Sequence, residues 1–177
     1  AAKRVNFGIV YGMSGFGLSK DLRISPGEAQ HFIDTYFLRY PGVKQFMDAT
    51  IEQCRANGYV TTLLNRRRYI PDIGDRNPAV RQYAERQAIN TPVQGSAADL
   101  IKLAMIEVHK AMSDGRMESK MILTVHDELV FDVPEKEMPA LIVLTRSKME
   151  NVFKLSVPVK VTLKTGPNWK EMEEVKE

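Results

Sequence analysis

Two strand-like runs, Ile122–Val125 and Glu128–Phe131, are separated only by His126 and Asp127. A two-residue connection between strands makes a hairpin, because a parallel pair requires a long crossover. The sheet is therefore at least partly antiparallel. The spacing predicts strands over Lys120–Val125 and Glu128–Val133, a helix over about 135–153 packed across them, and a third strand over Val159–Lys164, where residues alternate. Helices and short hairpins are interspersed along the rest of the chain, so the predicted class is α+β.

Local punctuation sets the other elements. Ser25-Pro26-Gly27-Glu28 is a capping box with Pro at the first helical position, and Ala29, Phe32, Ile33, Tyr36 and Phe37 follow at helical spacing, giving a helix over about 26–39. Tyr40-Pro41-Gly42 breaks it, a second helix runs to Ala56, and Asn57-Gly58 supplies a left-handed stop. Tyr59–Leu64 and Arg67–Ile70 read as a small hairpin around Asn65-Arg66, carrying the basic run Arg66-Arg67-Arg68. That run is either a solvated tip or a contact to nucleic-acid backbone. A helix from Pro78, capped by Asn77, is expected to end near Asn90, since Pro92 removes a backbone donor and disfavours helix before it. Thr91-Pro92-Val93-Gln94 then reads as another capping box. It opens a central buried helix bearing Ala97, Leu100, Ile101, Ala104, Met105, Val108 and Met112 on one side, ending at Asp114-Gly115.

With 44% hydrophobic and 27% charged residues over 177 positions, the composition is that of an ordinary globular chain able to form a core. The net charge of +3 permits contact with a polyanion but does not require it. Cys54 is the single cysteine, which excludes an intramolecular disulfide. It falls in register with Val43, Phe46, Met47 and Ile51, so a buried, reduced thiol is expected. No apolar run approaches the roughly 18 residues of a membrane helix. No signal peptide is visible, and a cytoplasmic location is expected. His31 and His109 have no partners at metal-ligand spacing.

Two places carry chemistry. Lys3, Phe7 and Tyr11 stand four residues apart, so on a helix they drift only about 80° and share a face. A cation followed by two rings suits a nucleotide, the ammonium holding phosphate and the rings stacking on base or sugar. An aromatic pair at this spacing is also a mark of core packing. At the other place, the His126-Asp127 turn exposes a carboxylate on a rigid support, where it can ligate a metal ion. Asp is equally favoured there because it tolerates turn geometry.

The opening segment AAKRVNFGIVYGMSGFG, with Lys3, Asn6-Phe7-Gly8 and Tyr11-Gly12, resembles the nucleotide-binding helix of family A DNA polymerases, the bacterial DNA polymerase I type. LTVHDELVF, Leu123–Phe131, resembles the family's His-Asp-Glu catalytic turn, and RQAINTPVQGSAADLIKLAM, Arg86–Met105, resembles a third signature. The three occur in the family's order, and the resemblance runs nearly end to end. It implies partial polymerase fingers over 1–80 (nucleotide-binding helix, helical hairpin, small β-hairpin) and a portion of the palm over 81–177 with its largely antiparallel sheet.

The same resemblance implies roles. Lys3 meets the incoming triphosphate, Phe7 stacks near sugar and base, and Tyr11 occupies or guards the templating position. Phe rather than Tyr at position 7 implies a preference against dideoxynucleotides. Asp127 corresponds to a catalytic Asp and metal ligand, Glu128 to a nearby acidic residue, and His126 to a primer-strand contact. Arg86, Asn90 and Gln94 match positions lining the DNA minor groove. Arg86 and Asn90 share a helix face, and Gln94 lies in the turn after the proline break, so the three can converge at a helix junction. An Asn and a Gln beside such a junction also serve as caps.

The implied parent is a template-directed DNA polymerase of replication or repair. It is a nucleotidyltransferase adding deoxynucleotides to a primer 3′ end with two Mg²⁺ ions. Ala1 begins inside an amphipathic pattern with neither Met nor cap, as in a cut fragment. The family's Arg four residues before Lys3, and its upstream strand with a second metal-binding Asp, are not in this sequence. The fragment alone is therefore expected to be inactive, with a non-catalytic DNA-binding module as the alternative. Primer-template DNA and deoxynucleoside triphosphates are the expected partners. No membrane is expected, and an uncovered sheet edge invites self-association.

Overall fold

The computed structural model describes residues 2–175, with side chains from Val5 onward. Four helices come first: α1 (Ala2–Val10), α2 (Gly15–Leu22), α3 (Pro26–Arg39) and α4 (Pro41–Asn57). The capping box forms as expected. Glu28 N–H donates to Ser25 Oγ at 3.2 Å, and Ser25 N–H donates to Glu28 Oε2 at 2.9 Å. Gly58, at φ 77°, ends α4 in the left-handed conformation that glycine adopts without steric cost. Strands β1 (Tyr59–Thr61) and β2 (Arg67–Tyr69) then pair antiparallel, Val60 opposite Arg68.

After a 3-10 turn at Pro71–Gly74 comes α5 (Pro78–Asp114), a single helix containing Pro92. This overturns the expected break near Asn90 and the capping box at Thr91. An interior proline costs about 3 kcal/mol of helix stability, and here hydroxyls and packing hold both flanking turns. Thr91 Oγ1 donates to the Gln87 carbonyl at 2.7 Å, so it is a back-bonded helical residue and not a cap. The Ser96 hydroxyl donates to the Pro92 carbonyl and also accepts the Leu63 N–H at 2.9 Å. Ala84, Ala88 and Ile89 before the proline are buried, and Ser96 after it is too. Tertiary contacts thus continue a helix that local propensity would stop.

β3 (Lys120–Val125) and β4 (Glu128–Asp132) form the main hairpin, with a bulge between Met121 and Leu123. A 3-10 turn at Glu135–Glu137 leads into α6 (Met138–Glu150), shorter than the helix expected over 135–153. The third strand is also corrected: residues 159–163 carry no strand, and pairing is confined to β5 (Lys164–Thr165) with β6 (Glu173–Glu174). The alternation that suggested a strand is real, since Val161 and Leu163 are more buried than their neighbours. Their backbone groups bond elsewhere: Val161 N–H donates to Glu150 Oε1 at 3.0 Å, and the Leu163 carbonyl accepts from Val175 N–H at 2.9 Å. The described sheets are three separate antiparallel pairs, and the fold is α+β.

The chain divides within α5 into units 1–96 and 97–177. In the first, Val5, Ile9, Leu18, Ala29 and Ile33 form one buried cluster, and Cys54, Val60, Ile70, Ile73, Ala84 and Ala88 form another. The Cys54 thiol is fully enclosed, and burial raises its pKa. In the second unit, Val108, Met112 and Leu141 are buried, with Met121 and Phe131 of the hairpin packed against them. The later part of α5 is amphipathic and not buried all round, with Ala97 and Ile106 exposed. No helix among the described residues is long and apolar enough to cross a membrane.

Candidate functional site

Helix α1 has two working faces. Val5 and Ile9 are buried in the first cluster, whereas Phe7, two residues from each and so about 200° round the axis, is 44% exposed. The Phe7 and Tyr11 rings stack with centroids 5.9 Å apart and planes 23° from parallel. The core packing that an aromatic pair at this spacing often signals is supplied here by Val5 and Ile9. Phe7 is left accessible, with the half-buried Tyr11 ring stacked against it. Lys3 lies in the backbone of α1, but its side chain lies outside the described residues.

Behind Tyr11 the chain turns at Gly12, with φ 79°. A Cβ placed there would lie 3.1 Å from Arg86 Cγ and 3.6 Å from Ile89 Cδ1. The end of α1 therefore rests directly on α5 within the first unit. This brings Arg86 to Tyr11's neighbour. The Arg86 guanidinium also lies 5.8 Å from the Tyr83 ring centroid. The Tyr-Gly dipeptide at a helix end signals a left-handed cap, but nothing in the sequence marks its contact with Arg86.

Arg86, Asn90 and Gln94 follow one another at intervals of four along uninterrupted α5. The predicted convergence at a helix junction does not occur, because there is no junction. The three instead form a stripe along one helix. Asn90 Oδ1 is enclosed without a hydrogen-bond partner among the described residues, and Gln94 is exposed.

In the second unit, Val125 pairs with Glu128, leaving His126 and Asp127 as the turn. His126, at φ 54°, takes the left-handed conformation, which costs a side-chain-bearing residue about 1–2 kcal/mol. The sequence argument put the turn tolerance on Asp127, but the left-handed residue is His126, so turn geometry alone is a weaker reason for an aspartate here. His126, Asp127 and Glu128 are all exposed. Asp127 and Glu128 offer the hard oxygen donors that Mg²⁺ prefers. Among the described residues, however, no group of three His, Cys, Asp or Glu could hold a metal ion. The donors fit in kind, but they form only part of a set.

A carboxylate missed by sequence reasoning fixes the base of this hairpin. Glu137 accepts from the Glu118 and Ser119 N–H groups, both at 2.9 Å, and from the Ser119 hydroxyl at 2.6 Å. The Ser119 hydroxyl, and after it the Glu118 N–H, hold the Glu137 carboxyl below its ordinary pKa. With a folded value below the unfolded one, the stabilisation is complete above the unfolded pKa and is lost as pH falls through the lowered folded value. Amide exchange at Glu118, Ser119 and Lys120 is expected to accelerate in that acid window. Glu137→Gln should show the faster exchange already at neutral pH, as hydrogen-exchange mass spectrometry or NMR can check.

Comparison with known proteins completes the description. Residues 1–171 match the model of DNA polymerase family A. The chain is 51% identical over 168 residues to a protein named DNA polymerase I from Geobacillus stearothermophilus, covering 95% of this chain and 19% of that one. It is 48% identical over 168 residues to the Bacillus subtilis (strain 168) protein of the same name, again covering 95% and 19%. It thus spans about a fifth of the length of these relatives. Among solved structures, the POL domain of Pol1 from M. smegmatis, in complex with DNA primer-template and dNTP, aligns with a TM-score of 0.87 and 44% identity. That alignment covers 89% of this chain and 28% of the other.

Proposed function

The chain belongs to DNA polymerase family A, and from this we propose that it is part of a template-directed DNA polymerase that adds deoxynucleotides to a primer 3′ end. In this reading residues 1–80 belong to the fingers and 81–177 to the palm. The observation that carries the proposal is exposed Phe7, on the side of α1 opposite Val5 and Ile9, with the half-buried Tyr11 ring stacked against it. Lys3 holds the incoming triphosphate, Phe7 lies against sugar and base, and Tyr11 meets the templating position. Phe7 lacks the phenolic hydroxyl that would substitute for a missing 3′-hydroxyl, so dideoxynucleotides are disfavoured.

Arg86, Asn90 and Gln94 contact the minor groove near the primer end, where donors meet the purine N3 and pyrimidine O2 acceptors common to correct pairs. The unpartnered Asn90 Oδ1 supports a polar ligand at this stripe. His126 contacts the primer strand, and Asp127, with Glu128 beside it, would hold Mg²⁺. When bound, two Mg²⁺ ions would supply activation of the attacking hydroxyl and stabilisation of the leaving pyrophosphate. The protein works in the cytoplasm.

Among the described residues the carboxylate set is incomplete, which favours DNA binding without catalysis by the chain alone. Exposed Ile122 and Leu123 on the main hairpin support self-association. The chain is expected to bind primer-template with an affinity that falls about tenfold or more between about 50 and about 200 mM salt, as two or more phosphate contacts require. It is expected to give no primer extension with Mg²⁺ and deoxynucleoside triphosphates. Salt-independent binding would overturn the DNA contact, and extension abolished by Asp127→Ala would overturn the limit on catalysis.

A further inference from the structure

From Gln53 to Pro71 the sequence contains four arginines, Arg55, Arg66, Arg67 and Arg68, and no Asp or Glu. The structure sorts their tasks. Arg55 is neutralised by Glu85 at 2.6 Å. Arg68 lies opposite buried Val60 and, although exposed, is engaged within the fold: its Nη1 donates to Thr91 Oγ1 at 3.2 Å. Arg67 lies on the other face of the hairpin, opposite Thr61 and exposed.

The Arg67 guanidinium sits 4.7 Å from the centroid of the Tyr59 ring, and Tyr59 packs edge-on against Tyr69 at 5.6 Å, with planes 63° apart. A guanidinium held over a ring by cation–π attraction need not use its N–H donors in that contact, so they remain available to phosphate oxygens. Tyr69 remains 68% exposed. On the same face, Tyr59 and Thr61 line a cleft of about 410 Å³ together with Phe46, Gln53 and Asn57. Positive charge and an accessible ring are thus gathered on a short hairpin, beside the amide groups of Gln53 and Asn57 on α4, with no acidic residue from Gln53 to Pro71.

We propose that the β1–β2 hairpin holds an unpaired nucleic-acid strand, with Arg67 on its phosphates and Tyr69 against a base. Charge complementarity selects a polyanion, and the accessible ring selects a strand whose bases offer their faces, which a stacked duplex does not. This contact lies outside the stripe of Arg86, Asn90 and Gln94, and it rests on the family reading only in taking nucleic acid as the ligand class. An unpaired template segment beyond the primer has the required chemistry.

The test is fluorescence anisotropy of the 177-residue chain with a labelled single-stranded oligonucleotide and with a blunt duplex, each over a salt series. Arg67→Glu is expected to weaken single-strand binding about tenfold and to lower the salt slope by about 1 to 2. Tyr69→Ala, at an exposed position, should weaken it about tenfold with the salt slope unchanged. Far-UV circular dichroism and melting temperature check that both variants fold. Single-strand affinity equal to wild type in both variants overturns the hairpin contact and leaves the polymerase reading standing. A wild-type chain that binds neither nucleic acid overturns both.

Discussion

Asp127→Asn is expected to lower the rate of nucleotide addition about 10³-fold when this sequence replaces the matching segment of the Geobacillus stearothermophilus relative. The substitution is chosen because Asn keeps the turn chemistry of Asp and removes only the charge. If Asp127 serves the turn, the variant behaves as wild type. If it ligates Mg²⁺, the loss of a carboxylate removes several kcal/mol of transition-state stabilisation. Melting temperature should stay unchanged, because the side chain is exposed and the turn strain resides on His126. Primer-template affinity should hold or rise, since a negative charge facing a polyanion is removed. Single-turnover kinetics beside a binding titration separate these effects. A rate within tenfold of the parent chimera would remove Asp127 from the metal site.

Gly12→Ala is expected to destabilise the 177-residue chain by about 2 kcal/mol, from about 1–2 kcal/mol of left-handed strain plus a crowded methyl group. For a chain of this size that is a fall in melting temperature of about 4–8 °C. Two causes act at this one residue. The φ of 79° penalises any Cβ, and the 3.1 Å approach to Arg86 Cγ obliges the arginine to move. A double-mutant cycle with Arg86→Ala separates them, because truncating Arg86 relieves the crowding but leaves the strain. The pair should therefore cost less than the sum of the single changes. Strict additivity would mean that strain alone matters, and that the end of α1 does not bear on Arg86.

The correction at Pro92 shows where local reasoning stops. Pro92, the residue before it and the four-residue box from Thr91 all favoured a break, and each argument is sound for a helix in isolation. The hydroxyls of Thr91 and Ser96 and the burial of Ala88 and Ile89 overrode them. The missing strand at 159–163 has a similar origin. Its period-2 burial was legible, but whether those backbone groups pair in a sheet or meet the Glu150 side chain depends on what lies beside them.

The helix starts and stops at Ser25, Asn57-Gly58 and Asp114-Gly115, the two hairpins, the α+β class and the shared spacing of Lys3, Phe7 and Tyr11 were all determined by the sequence alone. Each depends on interactions within a few residues of chain. Only the tertiary structure decided that Phe7 faces outward while Val5 and Ile9 are buried, that Gly12 rests on Arg86, that α5 runs through its proline, and that Glu137 clamps the start of β3. These are contacts between residues far apart in the chain. No local propensity encodes them, and they form only when burial of the core brings the segments together.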